Sequence, residues 1–507
     1  MNRRVIAEAS APSVRRTAFA VALLATSALL VQPAGLARPA ASSTTSTFAN
    51  AGASATESLL HVFYAGGGMW RMCSTGDCTT TDQDWGADSL TYALALREQT
   101  TGATSLIPIL AALATAAPSY PAPCSGASCT AWSDVPQWDT IALAREYEAT
   151  RDPTVLAKAE AAFAFVEGSP VFSLGACPEI RYQQPYGGSN QLKTLETDGN
   201  AIKAALLLYH DSGLKSYLDV ARQRYASVRD YFLDPTVPLY SVYVFDDGRT
   251  CTLLPHRFFA SVNGDMIWSG IALSRDTGQR TYLREALATA RAVDLDLNDA
   301  RGIFTDLQAE NDIVEPLVEA MYVLAADEHV GFARSWILRN AAAALGARTA
   351  AGAFGRFFDG PPPASTVTAW QANGGFALEI AAAALAPERA ALPTPGWSRA
   401  RFVTDAITST TAHLTFRGEG IALIGTLGEH CCESGHARVL LDGQQTFDHT
   451  GIWQNKSSAG ISIPHTILFA WRWPVSGRHT LRFEPGIPNG KEGSSFLDIQ
   501  GYFVIPG

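Results

Sequence analysis

Glu196-Thr197-Asp198-Gly199-Asn200 opens an Ala/Leu-rich stretch that runs to Asp211-Ser212-Gly213 and resumes at Tyr217-Leu218-Asp219-Val220-Ala221. A polar start, an apolar run too long for a strand, a glycine stop and a second periodic run spell a helical hairpin. The same order recurs from Asp84-Trp85-Gly86-Ala87-Asp88, Ser133-Asp134-Val135-Pro136-Gln137-Trp138, Asn263-Gly264-Asp265, Glu310-Asn311-Asp312 and Trp370-Gln371-Ala372-Asn373. Stops follow at Thr101-Gly102, Arg151-Asp152-Pro153, Asp276-Thr277-Gly278 and Ala326-Asp327. A unit of roughly 50 to 65 residues that cannot bury its own apolar face has to stack on its neighbours, and six such hairpins close into a toroid. The expected fold over residues 56–386 is therefore an all-α (α/α)6 barrel whose inner helices all start at one end.

That arrangement gathers the six starts around one cavity. Asp and Asn are ordinary helix caps worth about 1 kcal/mol each, and the helix dipole favours acids there in any case. Pairs such as Glu196 with Asp198, or Glu310 with Asp312, exceed what one cap requires. Carboxylates that move protons and aromatic rings that stack on sugar faces make a carbohydrate site. The catalytic candidates are Asp134, Glu196, Asp198, Asp265 and Asp312. Trp85, Asp88, Trp132, Trp138, Asn263, Trp268 and Trp370 are candidate substrate contacts, with Tyr182 and Tyr186 as a wall contributed by the loop before the third inner helix. Asp246-Asp247-Gly248 is a rival acidic pair that reads as an Asp-Gly turn, and His210 and His256 read as structural. No metal or other cofactor is implied.

At 507 residues the chain suggests two domains. A net charge of -10 with only 38 basic residues argues against nucleic acid and against an anionic membrane surface. Arg15-Arg16 and the apolar run from Ala18 to Val31 read as an export signal over residues 1–41, followed by a flexible linker over 42–55. A secreted or periplasmic monomer, with no membrane attachment after signal removal, is expected. Eight cysteines then read as disulfides: Cys73/Cys78 and Cys124/Cys129 share a C-x4-C spacing, and Cys177 and Cys251 lie in the two long loops. Cys431-Cys432 is either a vicinal disulfide or two free thiols; flanked by His430 and His436, it reads as loop rather than metal site.

The helical pattern ends near Ala384, and a Pro/Ala-rich linker covers 387–396. Beyond it the period switches to alternation, as in Ala412-His413-Leu414-Thr415-Phe416 and His479-Thr480-Leu481-Arg482-Phe483, with Asp442-Gly443 as a hairpin signal. An all-β sandwich over 397–507 is expected. Phe416-Arg417-Gly418-Glu419-Gly420-Ile421, Val439-Leu440-Leu441-Asp442-Gly443, Ser476-Gly477-Arg478-His479 and Phe496-Leu497-Asp498-Ile499 resemble the galactose-binding-like modules of secreted glycosidases.

The helical region resembles glycoside hydrolase family 76, the endo-α-1,6-mannanases. The resemblance rests on Ser133-Asp134-Val135-Pro136-Gln137-Trp138 with Ala144-Arg145-Glu146-Tyr147-Glu148, on Asn200-Ala201-Ile202, on Asn263-Gly264 and on Trp370-Gln371-Ala372-Asn373. It implies two adjacent aspartates at the start of the second inner helix, one nucleophile and one acid/base. Here Ser133 occupies the first position and Asp134 the second. A serine without an adjacent base does not replace a carboxylate in forming a glycosyl-enzyme. Either the chemistry pairs Asp134 with a carboxylate on a neighbouring inner helix, or the protein binds glycan without cutting. The first expectation is an exported hydrolase of an extracellular or cell-wall polysaccharide. The alternatives are a polysaccharide lyase, which the acidic helix starts disfavour, and a non-catalytic glycan binder.

Overall fold

A computed structural model describes residues 47–507 except 77–80, 84, 125–128, 130, 186–190, 306–312, 392–395, 405–406, 409–411, 428–435, 446–451, 455–461, 486–497 and 507. Among the described residues the helices are α1 (Phe48–Phe63), α2 (Trp85–Thr101), α3 (Ile107–Ala116), α4 (Val135–Thr150), α5 (Pro153–Glu167), α6 (Leu195–Ser212), α7 (Lys215–Phe232), α8 (Ala260–Thr277), α9 (Arg280–Asp296), α10 (Glu315–Ala326), α11 (Gly331–Ala344) and α12 (Ala369–Leu385). None is long and apolar enough to cross a membrane.

The even-numbered helices from α2 to α12 are buried nearly all round, as in the unbroken run Leu195 to Leu208 of α6. The helices that pair with them bury one stripe: α7 buries only Ala221, Tyr225, Val228 and Phe232, at helical spacing. Each inner helix packs on the next, α2 on α4, α4 on α6, α6 on α8, α8 on α10 and α10 on α12, and α12 packs back on α2. The ring is thus closed. Gly264 lets α8 and α10 approach, since a Cβ there would lie 2.4 Å from the Leu317 nitrogen. The stops are left-handed caps, at φ 73° for Gly213, 71° for Gly278 and 56° for Arg151. Asp152 then caps α5, accepting from the Thr154 nitrogen at 2.8 Å.

The sixth hairpin closes in a way its sequence hid. The outer partner of α12 is α1, which begins at Phe48, inside the stretch read as flexible linker. Thr47 caps it, and Phe48, Ala51, Ala55 and Leu59 form its buried stripe. The Ser/Thr/Ala composition concealed that periodicity.

Three short strands, β1 (Tyr64–Gly66), β2 (Met69–Arg71) and β3 (Thr81–Asp82), form a small sheet after α1. A second small sheet, β4 (Leu192–Thr194), β5 (Tyr243–Asp246) and β6 (Cys251–Leu254), is stapled to the preceding loop by the Cys177–Cys251 disulfide. Cys124 and Cys129 are also bridged. Cys73 is disulfide-bonded, whereas its expected partner Cys78 and the Cys431-Cys432 pair lie outside the described residues.

The C-terminal region is a separate β-sheet region. Its strands are β7 (Arg401–Val403), β8 (Ile407–Thr408), β9 (Ala412–Leu427), β10 (His436–Leu441), β11 (Gln444–Gln445), β12 (Ile452–Gln454), β13 (Ile463–Pro485) and β14 (Asp498–Ile505). They form one antiparallel sheet in the order β11-β10-β13-β9-β14-β7, with β12 on β10 and β8 on β14. The Asp442-Gly443 hairpin joins β10 to β11, with both residues at positive φ. Between Arg472 and Gly477 the β13 register against β9 slips, leaving residues 473–476 as a bulge.

This region is fastened to the helical ring. Phe357, in the loop before α12, belongs to the sheet's apolar core beside Phe469 and Trp397. Asp359 accepts from Arg301 at 2.7 Å and from Arg472 of β13 at 3.0 Å, while its carbonyl accepts from the Trp397 indole at 3.1 Å. A chain ending before Trp397 should therefore fold with its helical content but melt at lower temperature. Uncovering Phe357 and removing two partners of buried Asp359 should cost about 1–3 kcal/mol. A truncated protein melting at the full-length temperature would show that the contact contributes nothing.

Candidate active site

Asp134 sits at the N-cap of α4 in helical conformation and makes no side-chain capping bond to its own helix. Its neighbour Ser133 is wholly buried. The Ser133 hydroxyl donates to the Tyr182 carbonyl at 2.7 Å and lies 2.6 Å from the Thr197 hydroxyl of α6. The first turns of α4 and α6 therefore touch, and Asp134 and Glu196, each next in chain to one of these two residues, share that seam. Both carboxylates are mostly buried, at 7% and 4% exposure. Trp132, two residues before Asp134, is 44% exposed, whereas Trp85 and Trp370 pair at 5.4 Å across the starts of α2 and α12.

The other acids do not all join them. Asp198 points outward: it accepts from the Arg181 nitrogen at 2.8 Å and meets the Arg181 and Arg224 guanidinium groups at 3.3 and 3.4 Å. Burial pushes its carboxyl up to about 6 against the pull of Arg181. Its work is to pin the loop before α6. Asn263 does the same for α8, accepting from the Tyr240 nitrogen at 2.9 Å and donating back to the Tyr240 carbonyl at 3.0 Å. Asn373 of α12 accepts from the Val314 and Glu315 nitrogens at 3.1 and 2.9 Å and so holds the start of α10. Asp198, Asn263 and Asn373 are thus loop staples, and the side-chain caps of α6 and α12 are Thr194 and Thr368.

Trp138 is also structural: it is fully buried, stacked on Tyr92 at 5.9 Å, and its carbonyl accepts from the Tyr92 hydroxyl. Tyr182 is buried under the Lys193 ammonium. Asp312 and Tyr186 lie outside the described residues. Asp246 is buried and accepts from the Ala176 and Gly248 nitrogens, while Asp247 accepts from the Arg249 and Thr250 nitrogens at 2.8 and 2.7 Å, the turn its sequence suggests. His210 and His256 pair with Asp276 and Asp234.

Below the rim the axis of the ring is filled by charge. Lys203 of α6 bonds Glu319 of α10 at 2.7 Å and lies 3.2 Å from Asp265 of α8. Arg145 of α4 reaches across the ring to the same Glu319. Trp268 receives both cations, Arg145 at 5.5 Å and Lys203 at 5.7 Å from its ring centre. Burial raises the Glu319 carboxyl, but Arg145 and Lys203 more than offset this and hold it below its ordinary value. Burial brings Asp265 up to about 6 against Lys203. Glu315, one turn before Glu319, is fully buried without a hydrogen-bond partner for either oxygen; burial and then the neighbouring Glu319 hold it far above its ordinary value. Arg145 lies eleven residues beyond Asp134, about 16 Å along α4. At this level the axis of the ring is therefore filled by side chains rather than open as a pore.

Sequence reading singled out Asp265 and Trp268 but not Arg145, Lys203, Glu315 or Glu319 as members of a site. The signal was present: Glu315-Pro316-Leu317-Val318-Glu319 places two carboxylates one turn apart on an otherwise apolar helix, and Lys203 interrupts an apolar run.

No protein-family model matches the sequence, and no curated protein matches it. Solved structures do. The α-1,6-mannanase of Salegentibacter sp. HEL1_6 is 20% identical, with 67% of this chain and 99% of that one covered and a TM-score of 0.56. An inactive variant of that enzyme, changed at two consecutive aspartates and in complex with α-1,6-mannotetrose, matches at 18% identity over 67% and 99% of the chains, with a TM-score of 0.56. The family 76 glycoside hydrolase (mannosidase) of Bacteroides thetaiotaomicron matches at 13% identity over 67% and 98%, with a TM-score of 0.55. The fold is that of the family 76 α-mannanases. With identities this low, the likeness speaks for the toroid alone.

Proposed function

We propose that the chain is an exported, monomeric glycoside hydrolase acting on an α-1,6-mannan or a related neutral glycan, with Asp134 as its principal catalytic carboxylate and Glu196 as the partner. The observation that carries this reading is the place of Asp134: a carboxylate at an inner-helix N-cap of a six-hairpin ring, with a second carboxylate on the adjoining first turn. The mannanases among its structural neighbours support the substrate class. Trp85, Trp132 and Trp370 serve as sugar-stacking surfaces, whereas Trp138, Trp268, Asn263 and Asp198 hold the scaffold. Asp88 and Asp265 lie near Tyr92 and act on the electrostatics of the ring's interior. The C-terminal sheet, bent at the 473–476 bulge, is read as a galactose-binding-like sandwich, with residues 397–507 as its domain. Incubation with α-1,6-mannan should release reducing ends; bound mannan without product would reject the hydrolase.

A second reading is favoured by Ser133. Its hydroxyl is committed to Tyr182 and Thr197, so it stands where the mannanases carry an acid without being able to act as one. The protein is then a glycan-binding relative with a lapsed site. Ser133→Asp separates the two. A gain of α-1,6-mannanase activity marks decay from that chemistry. Loss of an existing activity places Ser133 in a reorganised site, because the new carboxylate would face the Tyr182 carbonyl instead of receiving a hydrogen bond.

A further inference from the structure

The loop between α5 and α6 grips the residue directly before Asp134. The Ser133 nitrogen donates to the Gln183 carbonyl at 3.0 Å, and its hydroxyl donates to the Tyr182 carbonyl at 2.7 Å. Whatever fixes those two carbonyls therefore helps to fix the start of α4. Residues 173–181 carry neither helix nor strand, so no regular ladder of their own holds them in place.

They are tied down at one point instead. Lys193 of β4 is wholly buried, and its ammonium donates to the carbonyls of Leu174, Cys177 and Ile180 at 2.9, 2.7 and 2.7 Å. An ammonium has three N–H donors and no acceptor, so this cage uses it completely, and no neutral side chain supplies three donors. Its charge faces the Asp246 carboxylate of β5 at 3.6 Å and the Tyr182 ring at 4.3 Å. Asp246 holds the same loop by accepting from the Ala176 nitrogen at 3.0 Å. Gly175, at φ 87°, makes that approach possible, since a Cβ there would lie 2.2 Å from Asp246 Oδ2. The backbone beside Lys193 extends the hold to the gripping residues: the Gln183 nitrogen donates to the Leu192 carbonyl at 3.0 Å, and Tyr182 bridges Lys193 in antiparallel register.

We infer that Lys193 is a positioning residue for the proposed reaction: by closing the carbonyl cage of the 174–180 loop it sets the Tyr182 and Gln183 carbonyls that grip Ser133, and through Ser133 the place of Asp134. The inference rests on the reading of Asp134 as the catalytic carboxylate. Lys193 itself has no exposed surface and touches no substrate.

Kinetics on α-1,6-mannan with Lys193→Ala, beside amide hydrogen exchange over residues 131–138, test it. The variant should lose about 10- to 100-fold in kcat, the scale of a slightly misplaced catalytic group, with KM within about twofold of the native value. Exchange over residues 131–138 should quicken by about tenfold or more. Methylammonium, which brings back three N–H donors, should restore most of the lost kcat and slow the exchange; tetramethylammonium, of equal charge but without a donor, should do neither. Should Lys193→Ala fail to fold, Ser133→Ala, which frees the grip and leaves the cage intact, should show the same fall in kcat and the same faster exchange. A native protein that cuts no mannan sinks the glycosidase reading alone, and exchange then decides the inference. The inference is overturned by native kcat or native exchange in Lys193→Ala, by a loss that falls on KM instead, by recovery with both ions or with neither, or, where that variant does not fold, by native kcat or native exchange in Ser133→Ala.

Discussion

Asp134→Asn should lower turnover on α-1,6-mannan by roughly 100- to 10,000-fold, the contribution of a positioned acid or base, while leaving folding and mannan binding nearly unchanged. The substitution is clean for a structural reason. Asp134 makes no capping bond to its own helix, whose start is held by Pro136 and by the neighbouring Ser133 contacts. Turnover from released reducing ends, affinity from calorimetry and helicity from circular dichroism separate chemistry from folding. Full activity in the variant would remove Asp134 from the mechanism and move the role to Glu196.

Lys203→Met should cost about 3–5 kcal/mol, the usual price of breaking a buried ion pair by removing one partner. Lys203 is the shared counter-ion of Glu319 and Asp265, and all three are wholly or nearly buried. Without it Arg145 alone faces Glu319, and Asp265 is left without its cation. A fall in melting temperature of roughly 3–5 °C is expected for a chain of this size. Adding Asp265→Asn should restore part of the loss, because the amide removes the stranded charge. If the single variant melts with the native protein, the axial cluster is not what holds the six inner helices in register.

The six-hairpin ring was legible because its cause is local and periodic. Asp211-Ser212-Gly213 and Asp276-Thr277-Gly278 stop a helix wherever they occur, since glycine takes the left-handed cap at little cost. Six apolar-faced units then have few ways to bury themselves. The start of α1 was not legible, because alanine and threonine serve a linker and a packed stripe equally well, and only α12 distinguishes them.

The site divides along the same line. The sequence by itself determined that acids and amides crowd the helix starts and that Asp134 opens α4 with a serine before it. It did not determine which way each side chain turns. Asp198 and Asp134 read alike in the chain, yet Arg181 and Arg224 hold the first by ion pairs, while the second follows a serine locked between Tyr182 and Thr197 at the seam of α4 and α6. Arg145 and Glu319, 174 residues apart, become partners only because the ring sets α4 and α10 opposite one another. Helix caps and stops depend on neighbours within a turn and can be read along the chain. The direction and charge state of a buried carboxylate depend on groups brought to it from across the ring, and these the tertiary structure alone decides.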